Sequence, residues 1–444
     1  MELSQTQLTT IILAGMMSQY PVAVFVGSLI DQYGPSWCSL IAALLFSSGF
    51  GGFALEVANA LDSLSKPSQA VFLRLVFYFL LVGLGTVFSY CSSLFAASKF
   101  FPNHIGLASG SSMALFGLSP LFLSTVATSF FTDATTGIVN VPSFTFFLAS
   151  LTSLVYFFGF ISLRLVSWPS IQPPIQVRST QGEETMPQET SPLLASQETE
   201  SDSRHILGPT IGELLRKPDF WLLAIFCIFI LGVSEMIISN IGTIVISLPP
   251  ASAMSAPGGL NSGSSTAFQV KLISVANTLS RIIVGPFADF ISPVGAYQPQ
   301  GVSVFPRKHV ISRFSFLSGA ATLLICTLLW MKIVVYTQSQ LWALSLGTGL
   351  SYSTVFTVLP SLISSLWGMR HLGRNFGIMM YAPFTGTPLF SYFYALISAS
   401  HTQGSAGICK GQPCWDSTFS LAIVTSIIAL LLSIILWKRW RGRI

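Results

Sequence analysis

Only 8% of the 444 residues are charged, 51% are hydrophobic, and the mean hydropathy is +0.69. Soluble domains are about a quarter charged, so a soluble enzyme or soluble binding module is excluded and an all-α polytopic membrane protein remains. The net charge of +5 is no sign of nucleic-acid binding, because the basic residues are spread over segments that flank apolar runs. A transmembrane β-barrel would show alternating stretches of about ten residues, not apolar runs above about twenty.

In chain order, apolar segments are predicted at 8–30, 37–58, 69–98, 106–131 and 142–165. Six more follow at 219–247, 268–290, 313–336, 340–366, 375–399 and 417–437. Each can cross a hydrocarbon core of about 30 Å at about 1.5 Å per residue. Pro21, Pro120, Pro360, Pro383 and Pro388 lie within them, where neighbouring helices can satisfy the freed backbone groups. Between the two groups, 166–218 holds seven of the 16 acidic residues and is rich in Pro, Ser, Thr and Gln. That composition cannot bury enough apolar surface to fold. The expected organisation is a five-helix bundle over 1–165, a disordered cytosolic linker over 166–218, and a six-helix bundle over 219–444 ending in a basic cytosolic tail.

Orientation follows from the distribution of Lys and Arg. With the linker in the cytosol, fifteen of the 21 fall on the cytosolic side, five on the other, and Arg281 within the membrane. Two short patterns then recur at matching cytosolic turns. Gly27-Ser-Leu-Ile-Asp31 ends the first apolar segment, and Gly285-Pro-Phe-Ala-Asp289 ends the second segment after the linker. His104-Ile-Gly106 is followed by Gly110, and His371-Leu-Gly373 by Gly377. Glycine lets helices approach closely, and an aspartate at such a turn can sit against a neighbouring helix N-terminus. The recurrence points to an internal duplication in which 219–247 has no partner in the first half.

Gly27 to Gly34, with Asp31 between them, resembles the G-x-x-x-D-[RK]-x-G-[RK]-[RK] signature that follows the second helix in the major facilitator superfamily. Both glycines and the aspartate match, whereas Gln32, Pro35 and Ser36 replace the basic residues, so the gating salt bridges usual there are not expected. The opening Leu3-Ser-Gln-Thr-Gln-Leu-Thr-Thr10 resembles the loop after that family's first helix. Asn277-Thr-Leu-Ser-Arg281 with Gly285, and Cys409 with Cys414, resemble the fungal monocarboxylate-transporter homologues of the nodulin-like branch. The resemblance implies a two-bundle fold, here with five and six helices because the chain begins after the usual first helix. A shortened chain is expected rather than a natural eleven-helix transporter; the other reading is that 69–98 is mis-segmented.

Glu235 and Arg281 are the charges expected inside the membrane, on consecutive antiparallel segments and both about 18–20 Å deep. Either Arg281 binds a carboxylate through its fork while Glu235 carries a coupling proton, or the two form a buried ion pair. In monocarboxylate transporters proper an acid stands four residues before the equivalent arginine; here it is Asn277. Asn240, Tyr90, Ser92, Tyr352, Ser353 and Thr354 are further polar candidates, although Ser and Thr in such helices often bond backbone carbonyls. Cys38, Cys91, Cys227 and Cys326 read as packing residues. Cys409 and Cys414 share a non-cytosolic loop, where a disulfide and free thiols are both open.

In the linker, Glu189-Thr-Ser-Pro-Leu193-Leu194 matches an acidic dileucine pattern that a sorting adaptor would read. With the resemblance, it implies the vacuole membrane, the plasma membrane being the alternative. There is no phosphate-cradling glycine loop and no paired His/Cys metal spacing, so no catalytic residue, metal or cofactor is expected beyond a coupling proton. The expected partners are the lipid bilayer, a small solute and that adaptor. The reading is a secondary transporter that moves a small organic solute, a carboxylate being the guess from Arg281, across an intracellular membrane by alternating access. A non-transporting sensor or scaffold, or an inactive truncated form, is the alternative.

Overall fold

The structure, a computed structural model, describes residues 5–61, 68–101, 104–131, 140–165, 210–249, 261–292, 296–297, 303–304, 311–368, 371–401 and 409–441. Five helices form the first half: α1 (Gln5–Tyr33), α2 (Pro35–Leu61), α3 (Gln69–Phe100), α4 (Ile105–Phe130) and α5 (Val141–Leu165). The second half contains α6 (Ile211–Arg216), α7 (Pro218–Ser247), α8 (Asn261–Ile291), α9 (Phe314–Val334), α10 (Trp342–Trp367), α11 (Leu372–Met379), α12 (Tyr381–Ser400) and α13 (Asp416–Trp440). Two-residue strands, β1 (Ala296–Tyr297) and β2 (Ser303–Val304), pair antiparallel between α8 and α9.

Ten helices among the described residues are long and apolar enough to cross a membrane. The predicted segment 375–399 differs from the others, because it is split at Met380 into α11 and α12. Pro383 explains the break: it has no N–H for the carbonyl of Met379, and its ring crowds that same carbonyl. Gly34 ends α1 at φ 84°, a conformation that favours glycine, and its N–H closes on the Ile30 carbonyl at 3.0 Å.

The last residues of the stretch expected as linker, Ile211–Arg216, are helical. Thr210 and Glu213 form a capping box, with Thr210 N to Glu213 Oε2 at 3.0 Å and Glu213 N to Thr210 Oγ1 at 3.4 Å. Leu214 of α6 is buried, so local capping and apolar burial order the end of the polar stretch. Arg439 near the end of α13 pairs with Asp219 at the start of α7, at 2.9 Å.

Within the first half, α2 packs on α3 and α5, and α1 packs on α3. In the second, α7 packs on α12 and α13, while α9 packs on α10 and α13. The halves meet chiefly through two helix pairs, α1 with α11 and α4 with α8. Both contacts depend on glycine. A Cβ on Gly27 would collide with the Gly373 carbonyl, and one on Gly285 with the Gly106 carbonyl.

Opposite the Lys/Arg-rich end, Cys409 and Cys414 form a disulfide, deciding between the two states open to them. The loop they close reaches α7 through Gly411 N to the Ser247 carbonyl, 2.8 Å. Cys38, Cys91 and Cys227 are buried, but Cys326 is exposed on α9 and is not a packing residue. Residue spacing fixes a cysteine's depth in an apolar segment, not which side of the helix meets a neighbour.

Candidate functional site

Two features stand out: a pair of contacts between the halves and a cavity beyond them. At the Lys/Arg-rich end, α4 and α11 begin without a side-chain cap of their own, each preceded by a histidine. The cap comes from the opposite half. Asp289, near the end of α8, accepts the Gly106 N–H at 3.2 Å on Oδ1 and the Leu107 N–H at 2.8 Å on Oδ2. Asp31, near the end of α1, accepts the Arg374 N–H at 3.0 Å. Carboxylates thus fill the role of N-cap side chains across the domain boundary and meet the positive ends of two helix dipoles.

The two contacts are not equivalent. Asp289 also pairs with Arg313 at 2.8 Å, with side-chain exposures of 6% and 1%. Arg313 is held further by Nε and Nη2 donating to the Ser292 carbonyl at 3.0 and 2.7 Å. Among the described residues no ion pair includes Asp31. Lys99 instead donates to the Ile30 carbonyl at 3.1 Å, next to that aspartate.

Deeper in the membrane region a cavity lies between the halves, with about 580 Å³ of empty space including its mouth. Its lining includes Gln19 and Tyr20 of α1, Tyr90 of α3, Arg281 of α8, Tyr352 of α10 and Phe376 of α11. Phe376 meets Phe95 edge to face at 5.8 Å, joining the halves between the cavity and the Lys/Arg-rich end.

Arg281 is 2% exposed; its Nη1 donates to the Met113 carbonyl of α4 at 2.8 Å, and its Nε is buried with no partner. Glu235 of α7, 4% exposed, accepts hydrogen bonds from Tyr20 at 2.8 Å and Tyr352 at 3.0 Å on Oε1. Thr387 of α12 donates to its Oε2. No ion pair joins Glu235 to Arg281, so that alternative is excluded. Each charge is instead turned toward hydroxyl or carbonyl groups.

The other candidates separate. Tyr352 joins the cavity to Glu235. Asn277, one turn before Arg281, has a buried Oδ1 without a partner and is not among the lining residues. Asn240 donates to the Met236 carbonyl of its own helix at 2.9 Å, away from the cavity. Ser92, Ser353 and Thr354 bond backbone carbonyls. Glu189, Leu193 and Leu194 lie outside the described residues. Tyr20 and Thr387 were not legible as site residues. The only hint was polar Gln19-Tyr20 interrupting the first apolar segment before Pro21.

Residues 1–382 match the profile of the Major Facilitator Superfamily. The chain belongs to the major facilitator superfamily. Relatives of this superfamily member include proteins called probable transporter MCH1. The one from Gibberella zeae is 27% identical across 99% of this chain and 84% of its own length. The one from Saccharomyces cerevisiae is 22% identical across 98% of this chain and 86% of its own. In fold, the chain is similar to the superfamily transporter FucP crystallised in an outward conformation. That likeness has a TM-score of 0.59 at 11% identity, over 97% of this chain and 91% of FucP. The chain is accordingly a membrane transporter and not an enzyme.

The unequal contacts make a testable difference. Asp289→Ala leaves the buried Arg313 charge unpaired, a loss of about 3–5 kcal/mol for a broken buried pair. Asp31→Ala removes a cap, typically about 1 kcal/mol. Thermal unfolding of the purified protein in detergent should show the larger drop for Asp289→Ala; equal drops would contradict the assignment.

Proposed function

We propose that this transporter is a secondary carrier of a small organic carboxylate, with Arg281 as the substrate's partner and Glu235 as the carrier of a coupling proton. One observation supports this most: Arg281 is buried at the cavity, has no acidic partner among the described residues, and leaves Nε without an acceptor there. A buried guanidinium without a counter-charge is costly, and a planar carboxylate is the ligand its fork fits best. Glu235 is the complementary group, a buried acid held by hydroxyls rather than by a cation.

The halves would rock about this depth by alternating access. The capped helices and the Phe95–Phe376 contact support reading the observed state as closed toward the cytosol. The intracellular, vacuolar location rests on Glu189, Leu193 and Leu194, read as a sorting peptide.

Uptake of a panel of radiolabelled small carboxylates into proteoliposomes tests the site. Arg281→Ala should lower uptake about 30-fold or more, as expected for truncating one partner of a buried charge pair, at unchanged abundance. Uptake that persists, or abundance lost in step with uptake, would overturn the role of Arg281. For location, a fluorescent fusion with Leu193→Ala and Leu194→Ala should move from the vacuole membrane to the plasma membrane. Unchanged vacuolar fluorescence would remove the sorting claim.

A further inference from the structure

The hydrogen bonds to Glu235 come from both halves of the protein, and they are unequal in what motion does to them. Tyr352 and Thr387 stand on α10 and α12, in the same half as Glu235 itself. Tyr20 stands on α1, in the other half, and reaches Glu235 Oε1 at 2.8 Å. Among the described residues it is the one side chain of the first half that bonds this carboxylate. Its ring also lines the cavity beside Tyr352 and Arg281.

We infer that Tyr20 is the positioning residue that ties the protonation of Glu235 to the relative position of the two halves. The inference rests on the rocking motion and proton-carrying role proposed above. With the halves together, three hydroxyls donate to one carboxylate, an arrangement that favours the ionised form. When the halves part at the Lys/Arg-rich end, α1 leaves with its half and Glu235 keeps two donors. It remains enclosed by its own half, where Gly232 of α7 lies against Gly386 of α12. A carboxylate that has lost a charge-assisted donor holds a proton more tightly. A hydronium ion in the opened cavity then gives its proton to Oε1: one of its O–H bonds breaks, the O–H bond of the carboxyl forms, and water is left. The proton returns to water when the Tyr20 hydroxyl comes back. By linkage, acid must favour the parted state by the same factor that parting raises proton affinity.

The neighbouring titratable and charged groups do not supply the same link. Tyr352 moves with Glu235. Arg281 belongs to that same half and bonds the Met113 carbonyl across the boundary. Tyr90 faces the cavity from α3, packed edge to face on Phe116 at 5.6 Å, without a bond to Glu235.

Cys91 offers a native reporter, being 2% exposed at the cavity wall and therefore shielded while the halves are together. The full chain in proteoliposomes is labelled with N-ethylmaleimide from about pH 8 to about pH 5 and modification is read at Cys91 by mass spectrometry. Each rate is divided by that of the denatured chain at the same pH, and no solute is added. In the unaltered protein, relative labelling should rise about tenfold on acidification, the scale of one charge-assisted hydrogen bond. Tyr20→Phe should abolish most of that rise, Glu235→Gln all of it, and Tyr352→Phe should move its midpoint while keeping its size. If Tyr20→Phe keeps the full rise, or if Tyr352→Phe loses as much as Tyr20→Phe, the inference is overturned. Labelling of the unaltered protein that stays low at every pH would instead count against the rocking motion itself.

Discussion

A helix N-terminus leaves backbone N–H groups with no partner inside the helix, and the histidines that precede α4 and α11 do not supply one. The missing acceptors are carboxylates of the opposite half: Asp289 for α4 and Asp31 for α11. With the two halves together these ends are capped by protein groups, whereas apart they would be left to water. Glycine makes the approach close enough, since Gly285 lies against Gly106 and Gly27 against Gly373 with no room for a Cβ. The same two helix pairs, α1 with α11 and α4 with α8, are the main seam between the halves.

The cavity chemistry depends on that seam. Packing of α4 on α8 brings the Met113 carbonyl to Arg281, and the placement of α1 brings the Tyr20 hydroxyl to Glu235. Each buried charge therefore has one partner across the boundary and could not keep it if the halves moved. The contact at Asp289 is reinforced by Arg313, while among the described residues that at Asp31 has no ion pair. By the Asp289–Arg313 pair the seam is firmer on the α4–α8 side than on the α1–α11 side.

Much of this architecture was legible in the sequence because the membrane makes composition and length decisive. Apolar runs located most of the helices to within a few residues, whereas the recurring Gly and Asp, read as marks of a duplication at cytosolic turns, lie at the seam between the halves. What length and depth leave open is rotation about each helix axis. Glu235 and Arg281 stand at similar depth on neighbouring helices, yet they point to Tyr20, Tyr352 and Thr387 in one case and to Met113 in the other. For the same reason Asn240 turned out to bond its own helix, and Cys326 to face outward. The Thr210–Glu213 capping box was present in the letters but hidden by the polar composition around it. The break at Met380 needed Pro383 to be read as ending one helical run rather than bending it.

The most direct measurement is the distance between the halves at the capped end, by pulsed electron resonance with spin labels at Leu165 of α5 and Phe290 of α8, both exposed. If shared capping holds this end closed, the parent shows one dominant short distance. Asp31→Asn combined with Asp289→Asn should then add a longer component, because a neutral amide meets the helix dipoles more weakly. A distribution identical in the parent and the double variant would contradict it, and would leave apolar packing alone as what keeps the halves together.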